Sequence, residues 1–212
     1  MKRTMMMCSM LVSGALAAAS TGCLDTARAD GDVTAQRSDL EGRLQTVEDN
    51  AAIRGVIDCY GHGHDTIFFH LGGDQREALD ILRHCFTDDV ATQIVFFDAA
   101  QPAVKLSSLA ELVGFVEQFA ISSHYRSARN TPGDVQISRT GPDRARILSS
   151  TVAPHYLRKV GDDPATPVSV DLISARYVND VVRGRDGVWR TQAFTLSLDE
   201  LWRATGVYPL PR

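Results

Sequence analysis

Tyr60-Gly61-His62-Gly63-His64-Asp65 is the stretch from which the fold is read. It puts a phenol, two imidazoles and a carboxylate within six residues, at the end of a long amphipathic helical pattern. Before it, Leu40, Leu44, Val47, Ala51 and Arg54 trace one helical row, with Ile53, Val56, Ile57 and Tyr60 alongside. Ser38-Asp39-Leu40-Glu41 has the form of a capping box that starts the helix, and Gly61 and Gly63 are expected to stop it. Tyr60 falls on the apolar row, so its ring is expected inside.

Downstream, a second helix is expected from about Asp74 to Phe86, burying Ala78, Leu82, Cys85 and Phe86 and ended by Asp88-Asp89. Val90 to Phe97 reads as a strand. Ser108-Leu109-Ala110-Glu111 is another capping box, opening a third helix through about Ile121 with Leu109, Leu112, Val113, Val116 and Phe119 as its apolar set. After His124 the pattern turns strand-like: 135–138, 145–159, 168–182 and 188–198. The breaks at Gly141-Pro142-Asp143, 161–167 and 184–187 are short, which argues antiparallel hairpins. Helices first and a meander last make an α+β domain and not a doubly wound sheet.

The chain has 212 residues, 44% of them hydrophobic and 23% charged, an ordinary globular balance. Its formal charge is −4, and removing Lys2 and Arg3 with an export signal takes it to −6. A nucleic-acid-binding surface is not expected. Lys2 and Arg3 precede an uncharged apolar run from Met5 to Ala19, too short for a comfortable membrane span, so residues 1–29 read as an export region. Ser20-Thr21-Gly22-Cys23 resembles a lipoprotein box with Cys23 as the lipidated residue. Ala27-Arg28-Ala29 offers an ordinary cleavage site instead, and both readings stand. Residues 30–38 read as a tether, 39–205 as the domain and 206–212 as a tail. The expected location is a bacterial-type cell envelope. Cys59 and Cys85 read as two buried thiols, with a bridge as the alternative in an oxidising compartment.

Val47-Glu48-Asp49-Asn50-Ala51-Ala52-Ile53, Tyr60 with Asp65, Cys85-Phe86-Thr87-Asp88-Asp89-Val90, Ser123-His124, Arg176-Tyr177-Val178-Asn179-Asp180 and Asp186-Gly187-Val188-Trp189-Arg190 occur in that order. In order and spacing they resemble the SnoaL-like branch of the nuclear-transport-factor-two-like superfamily, over roughly Leu40 to Trp202. The resemblance implies a cone: a curved antiparallel sheet wrapped around helices, with one deep pocket for a small hydrophobic ligand. Its members include polyketide cyclases, scytalone-dehydratase-like lyases, ketosteroid isomerases and proteins that only bind. Related cones often dimerise through the outer face of the sheet. The chain departs from the pattern at 67–74, which looks like an insertion, and in the long 161–167 loop. Asn130 also lies too far from His124 to be carried over.

Read with the resemblance, Tyr60 becomes a hydrogen-bond donor to a developing enolate, or else a core tyrosine. Asp65 becomes a base or the orienter of a histidine, or else a turn residue. The resemblance places a catalytic histidine at His124 and a plausible second at His155, and Arg176 resembles the arginine that closes some dehydratase pockets. Imidazole suits such proton transfer because it titrates near neutrality. His62 and His64 with Asp65 offer a metal reading, but the further carboxylate ligand such a site expects is not at matching spacing, so neither metal nor cofactor is expected. His70 and His84 look like surface or helix-face residues. No nucleophile elbow, phosphate loop or dinucleotide fingerprint occurs. Three functional classes follow: a cofactor-independent lyase or isomerase for a small hydrophobic carbonyl compound, a non-catalytic ligand-binding module, and an interaction domain.

Overall fold

The computed structural model describes residues 22–97, 99–157 and 168–207. The apolar run from Met5 to Ala19, the 161–167 loop and the residues from 208 on lie outside the described residues. The chain divides into two compact units, Met1–Thr46 and Val47–Arg212. In the first, the described residues belong to helix α1 (Gly22–Phe69), and Arg37 donates to Glu41 at 2.9 Å across one turn. Residues 30–38 are thus helical backbone, and Ser38, expected at a helix start, lies inside α1. Cys23 falls near the beginning of the same helix.

In the second unit α1 leads into α2 (Arg76–Arg83), β1 (Phe86–Phe96), β2 (Val104–Leu106), α3 (Leu109–Ser122), β3 (Tyr125–Ala128), β4 (Gly133–Gly141), β5 (Arg144–Leu157), β6 (Val168–Arg183) and β7 (Trp189–Val207). The sheet runs β2-β1-β7-β6-β5-β3, with β4 sharing β5. β5, β6 and β7 are joined by long antiparallel ladders, while β1 lies parallel to β7, so the sheet is mixed. It curls around α1 and α3 as a half-barrel. Period-two burial fixes its inner face: Ile147, Ala153, Ile173, Ala175, Tyr177 and Phe194 point at the helices.

Gly61 and Gly63 do not end α1, which continues to Phe69. A Cβ on Gly61 would come 2.7 Å from the Asn130 carbonyl oxygen, and one on Gly63 would come 2.4 Å from Leu82 Cδ2. These glycines let the helix pass hard against the chain before β4 and against α2. The actual break is the turn after Phe69, where Gly72 adopts φ +73°. Ile67 and Phe68, inside the stretch read as an insertion, are buried core residues. α2 stops at Arg83, and Phe86 to Asp89 open β1 instead of closing a helix.

Leu40, Leu44 and Val47 are exposed, and the buried row of α1 is Ile53, Val56, Ile57, Tyr60, His64 and Phe68. The second capping box holds. Ser108 accepts from the Glu111 amide at 3.2 Å, and Glu111 reaches back to the Ser107 amide at 2.7 Å. The Ser107 amide and hydroxyl, both donating to it, hold the Glu111 carboxyl below its ordinary range.

Cys59 and Cys85 are bridged, not free, with Cα atoms 6.1 Å apart. The bridge spans 26 residues, and loop-closure entropy puts its contribution at about 3–4 kcal/mol. Asp49 is buried and pairs with Arg139 at 3.1 Å and with Arg183. Both guanidinium groups lie over the Trp189 ring, at 4.8 and 5.0 Å. Residues 184–188 make the β6–β7 turn, with Gly187 at φ +78°, and Trp189 and Arg190 open β7.

Gly61→Ala and Gly63→Ala should each lower stability by about 1–3 kcal/mol in urea unfolding, because the added methyl meets backbone or packed leucine. Gly55→Ala, with open space around its position, should be neutral or stabilising. Equal effects at all three sites would contradict the close approach.

Candidate active site

The inner face of the half-barrel and helices α1 and α3 enclose a cavity of ≈ 40 Å³. Its polar lining is Tyr60, His64, Thr151, His155 and Tyr177, and its apolar lining comes from side chains of α3, β5, β6 and β7. No lysine, arginine, aspartate or glutamate is among its lining residues.

Tyr60 and His64 share one face of α1 because they are four residues apart. Their rings lie 6.0 Å apart, and Tyr60 also packs edge-on against Tyr177 at 5.3 Å and Phe194 at 5.0 Å. Burial, with the nearby Tyr177 second, pushes the Tyr60 phenol well above its ordinary range. It therefore stays protonated and can only serve as a donor or a neutral acceptor. Tyr177 is raised by burial too, and its hydroxyl exchanges hydrogen bonds with Asn130 at 2.9 and 3.2 Å.

His155 sits on β5 with 4% of its surface exposed. Its Nδ1 lies 3.0 Å from the Ala153 carbonyl oxygen. A carbonyl only accepts, so Nδ1 carries the hydrogen and Nε2 keeps its lone pair. Burial first, and the neighbouring His64 second, push its pKa down to about 4. At neutral pH it is an uncharged imidazole, with its ring edge-on to that of His64 at 5.9 Å. Across the ladder, Asp171 faces His155, accepts from the Tyr125 hydroxyl at 2.9 Å and takes an Arg203 fork at 2.7 and 2.8 Å. The Arg203 hydrogen bonds lead in holding the Asp171 carboxyl below its ordinary range.

Asp65 stands behind His64. Its carboxylate accepts from the Asn130 amide at 2.7 Å and from Arg129 at 3.1 Å, and lies 3.5 Å from His64 Nδ1. It opens onto an outer cleft shared with His62, Phe69, Arg126 and Arg129, and does not line the cavity. His62 faces that cleft and His64 the cavity, so the two imidazoles do not share a metal centre. Among the described residues no three His, Cys, Asp or Glu side chains gather as ligands.

Of the residues singled out in the sequence, Tyr60 and His155 meet in the cavity. His124 does not: it is an exposed turn residue at φ +60°, closing α3 by donating its amide to the Ile121 carbonyl at 3.1 Å. Histidine tolerates this left-handed position better than most residues, and here that position places it outside the cavity. Arg176 also misses the cavity. It lies on the outer sheet face and forks onto Asp199 at 2.8 and 2.7 Å. Strand alternation turns its neighbour Tyr177 inward instead. The residues not singled out as site members are His64, Tyr177 and Asn130. The four-residue step from Tyr60 signals His64, and the Ile173, Ala175, Tyr177 alternation signals Tyr177.

The unfolded chain takes up the His155 proton near pH 6.5, the folded chain only near pH 4. Between these values the unfolded state binds more protons, so stability falls as pH drops and is fully present above 6.5. The loss should be on the order of 3 kcal/mol by pH 4. His155→Phe should flatten denaturant-derived stability across that window; an unchanged slope would contradict the assignment.

Comparison with known proteins gives the chain its place. Solved structures share the fold, among them the following three. A type-2 hexachlorocyclohexane dehydrochlorinase (LinA) superposes with TM-score 0.57 at 16% identity, over 80% of this chain and 97% of that one. The LinA-type3 dehydrochlorinase of Novosphingobium barchaimii LL02 gives 0.58 at 15% identity, over 80% and 99%. A protein of Novosphingobium aromaticivorans assigned as a candidate scytalone dehydratase gives 0.54 at 15% identity, over 79% and 96%. No curated protein matches the sequence. The SnoaL-like domain profile matches residues 45–195, most of the chain, and so the chain belongs to the SnoaL-like family.

Proposed function

We propose that the chain is an exported, cofactor-independent lyase or isomerase that uses general acid–base catalysis on a small, neutral, hydrophobic carbonyl compound. The observation that carries this reading is the neutral His155 sharing one apolar cavity with the protonated Tyr60 and with His64. Pairs of groups with separated proton affinities are how acid and base roles are divided.

His155 Nε2 takes the proton next to the carbonyl. Tyr60, with Tyr177 beside it, donates a hydrogen bond to the oxygen that becomes negative. In an elimination the carbon–oxygen bond breaks with its electron pair going to oxygen. The His155 imidazolium formed in the first step gives that proton to the departing hydroxyl, which leaves as water, with His64 and the Asp65 carboxylate behind it alongside. A cavity wall without a fixed charge favours a neutral substrate, since burying an unpaired ion is costly. It also favours a leaving group that departs protonated over one that departs as a bare anion. The dehydrochlorinase and dehydratase names among the structural neighbours support elimination chemistry.

The second reading, a binding module without chemistry, draws on the smallness of the cavity. On a confirmed substrate, His155→Ala should lower kcat/KM by about 100- to 10,000-fold and Tyr60→Phe by about 100-fold, with the fold retained. His124→Ala and Arg176→Ala should stay near the parent. Full activity of His155→Ala would sink the catalytic reading.

Export is proposed from the N-terminal charge and apolar run, and the Cys59–Cys85 bridge fits an oxidising compartment. A homodimer through the outer sheet face is proposed from the exposed Leu148, Val152 and Trp202. Mass spectrometry addresses both. The denatured mass should show lipidated Cys23 or a start at Asp30, and an intact Met1 would defeat export. The native mass should be that of two chains, and a single-chain mass would defeat the dimer.

A further inference from the structure

The cavity is too small for the ligand its walls describe. Its ≈ 40 Å³ is room for about a water molecule, whereas an apolar cavity of about 150 Å³ is what admits a benzene ring. Any organic ligand therefore requires part of the wall to move.

The wall is unequal. Tyr60, Ile173, Ala175 and Tyr177 are buried at 2–3% exposure. The last three are held in the β6 ladders to β5 and β7. The lining side chains that are only half-buried are Phe115 and Phe119 of α3 and Leu198 of β7. Phe115 and Phe119 lie one helical turn apart with rings nearly parallel, 6.4 Å between centroids and 15° between planes. The helix that carries them is anchored by the Ser108 cap and by buried Leu112, Val113, Val116 and Ala120. Ring rotation is thus easier than helix displacement. On the sheet side, Ala153 and Ala175 are the small residues that leave space at all; a longer side chain at either would occupy it.

We propose that Phe115 and Phe119 are the gate and size filter of the cavity, admitting a flat, neutral, single-ring compound into the space left by Ala153 and Ala175. The proposal rests on the cavity being the ligand site, as proposed above. An aromatic or conjugated ring matches the enclosure, since Tyr60, Tyr177, His155 and the two phenylalanines present ring faces and edges to it. Neutrality follows from the uncharged wall.

The test uses fluorine NMR of two neutral probes, 4-fluorophenol with one ring and 6-fluoro-2-naphthol with two, exchanging with the full chain. The parent should bind the first and exclude the second. Phe119→Ala should bind both and exchange 4-fluorophenol about tenfold faster or more. Ala175→Leu should bind neither. Cooperative melting verifies that each variant is folded. If Phe119→Ala does not fold, Phe119→Leu replaces it with the same expected direction. Parent-like exchange and continued exclusion of the naphthol in the gate variant, while Ala175→Leu abolishes binding, would overturn the gate and leave the site standing. Unchanged binding in Ala175→Leu, or no binding by any form, would overturn the site and the gate together.

Discussion

The structure depends on how closely α1 can approach what it packs against. Where Tyr60 and His64 must face the sheet, the helix surface on both flanks of that face has to be bare. Gly61 and Gly63 make it so, at positions where a methyl would overlap the Asn130 carbonyl or Leu82. Glycine within a helix is unfavourable by about 1 kcal/mol relative to alanine. Here the loss is offset by packing that a side chain would forbid. The Cys59–Cys85 bridge acts on the same region, joining α1 one residue before Tyr60 to the chain one residue before Phe86. Phe86 in turn packs on Tyr60 at 5.8 Å and on Phe194 at 5.6 Å.

From that approach the chemistry of the cavity follows. A helix close to the sheet leaves His155 almost without water, and desolvation is the leading cause of its low proton affinity. The same burial keeps Tyr60 a phenol. His64 Nδ1 lies 3.5 Å from the Asp65 carboxylate, whereas His155 Nδ1 meets the Ala153 carbonyl at 3.0 Å, so two chemically identical rings have different surroundings. The charged groups stay one layer out: Asp65 with Arg129 on one side, Asp171 with Arg203 on another. They can orient the cavity residues without adding a formal charge to the cavity.

The sequence made the class of fold legible because its signals there are local. The Ser108 capping box, the β5–β6–β7 meander with its turn residues, and the apolar row from Ile53 to Tyr60 need no tertiary knowledge. What it misled on was non-local. Two glycines read as a helix stop are close-approach sites, a distinction set by Asn130 and Leu82, which are distant in sequence. Cys59 and Cys85 looked like separate buried thiols because spacing along the chain does not report Cα separation. The candidate site was half legible. Tyr60 and His155 meet, but only a family pattern points to His124, and the backbone turns it outward. Arg176 is one residue from Tyr177, and strand alternation makes one residue the difference between the inside and outside of the sheet.

The central claim is that His155 is a neutral imidazole with a free Nε2 inside the cavity of Tyr60 and His64. Nitrogen-15 NMR of the imidazole rings in the folded chain tests it most directly. His155 should carry hydrogen on Nδ1 and none on Nε2 at pH 7, with a titration midpoint near 4. A midpoint near the ordinary histidine value of about 6.5, or a hydrogen on Nε2 at neutral pH, would contradict it.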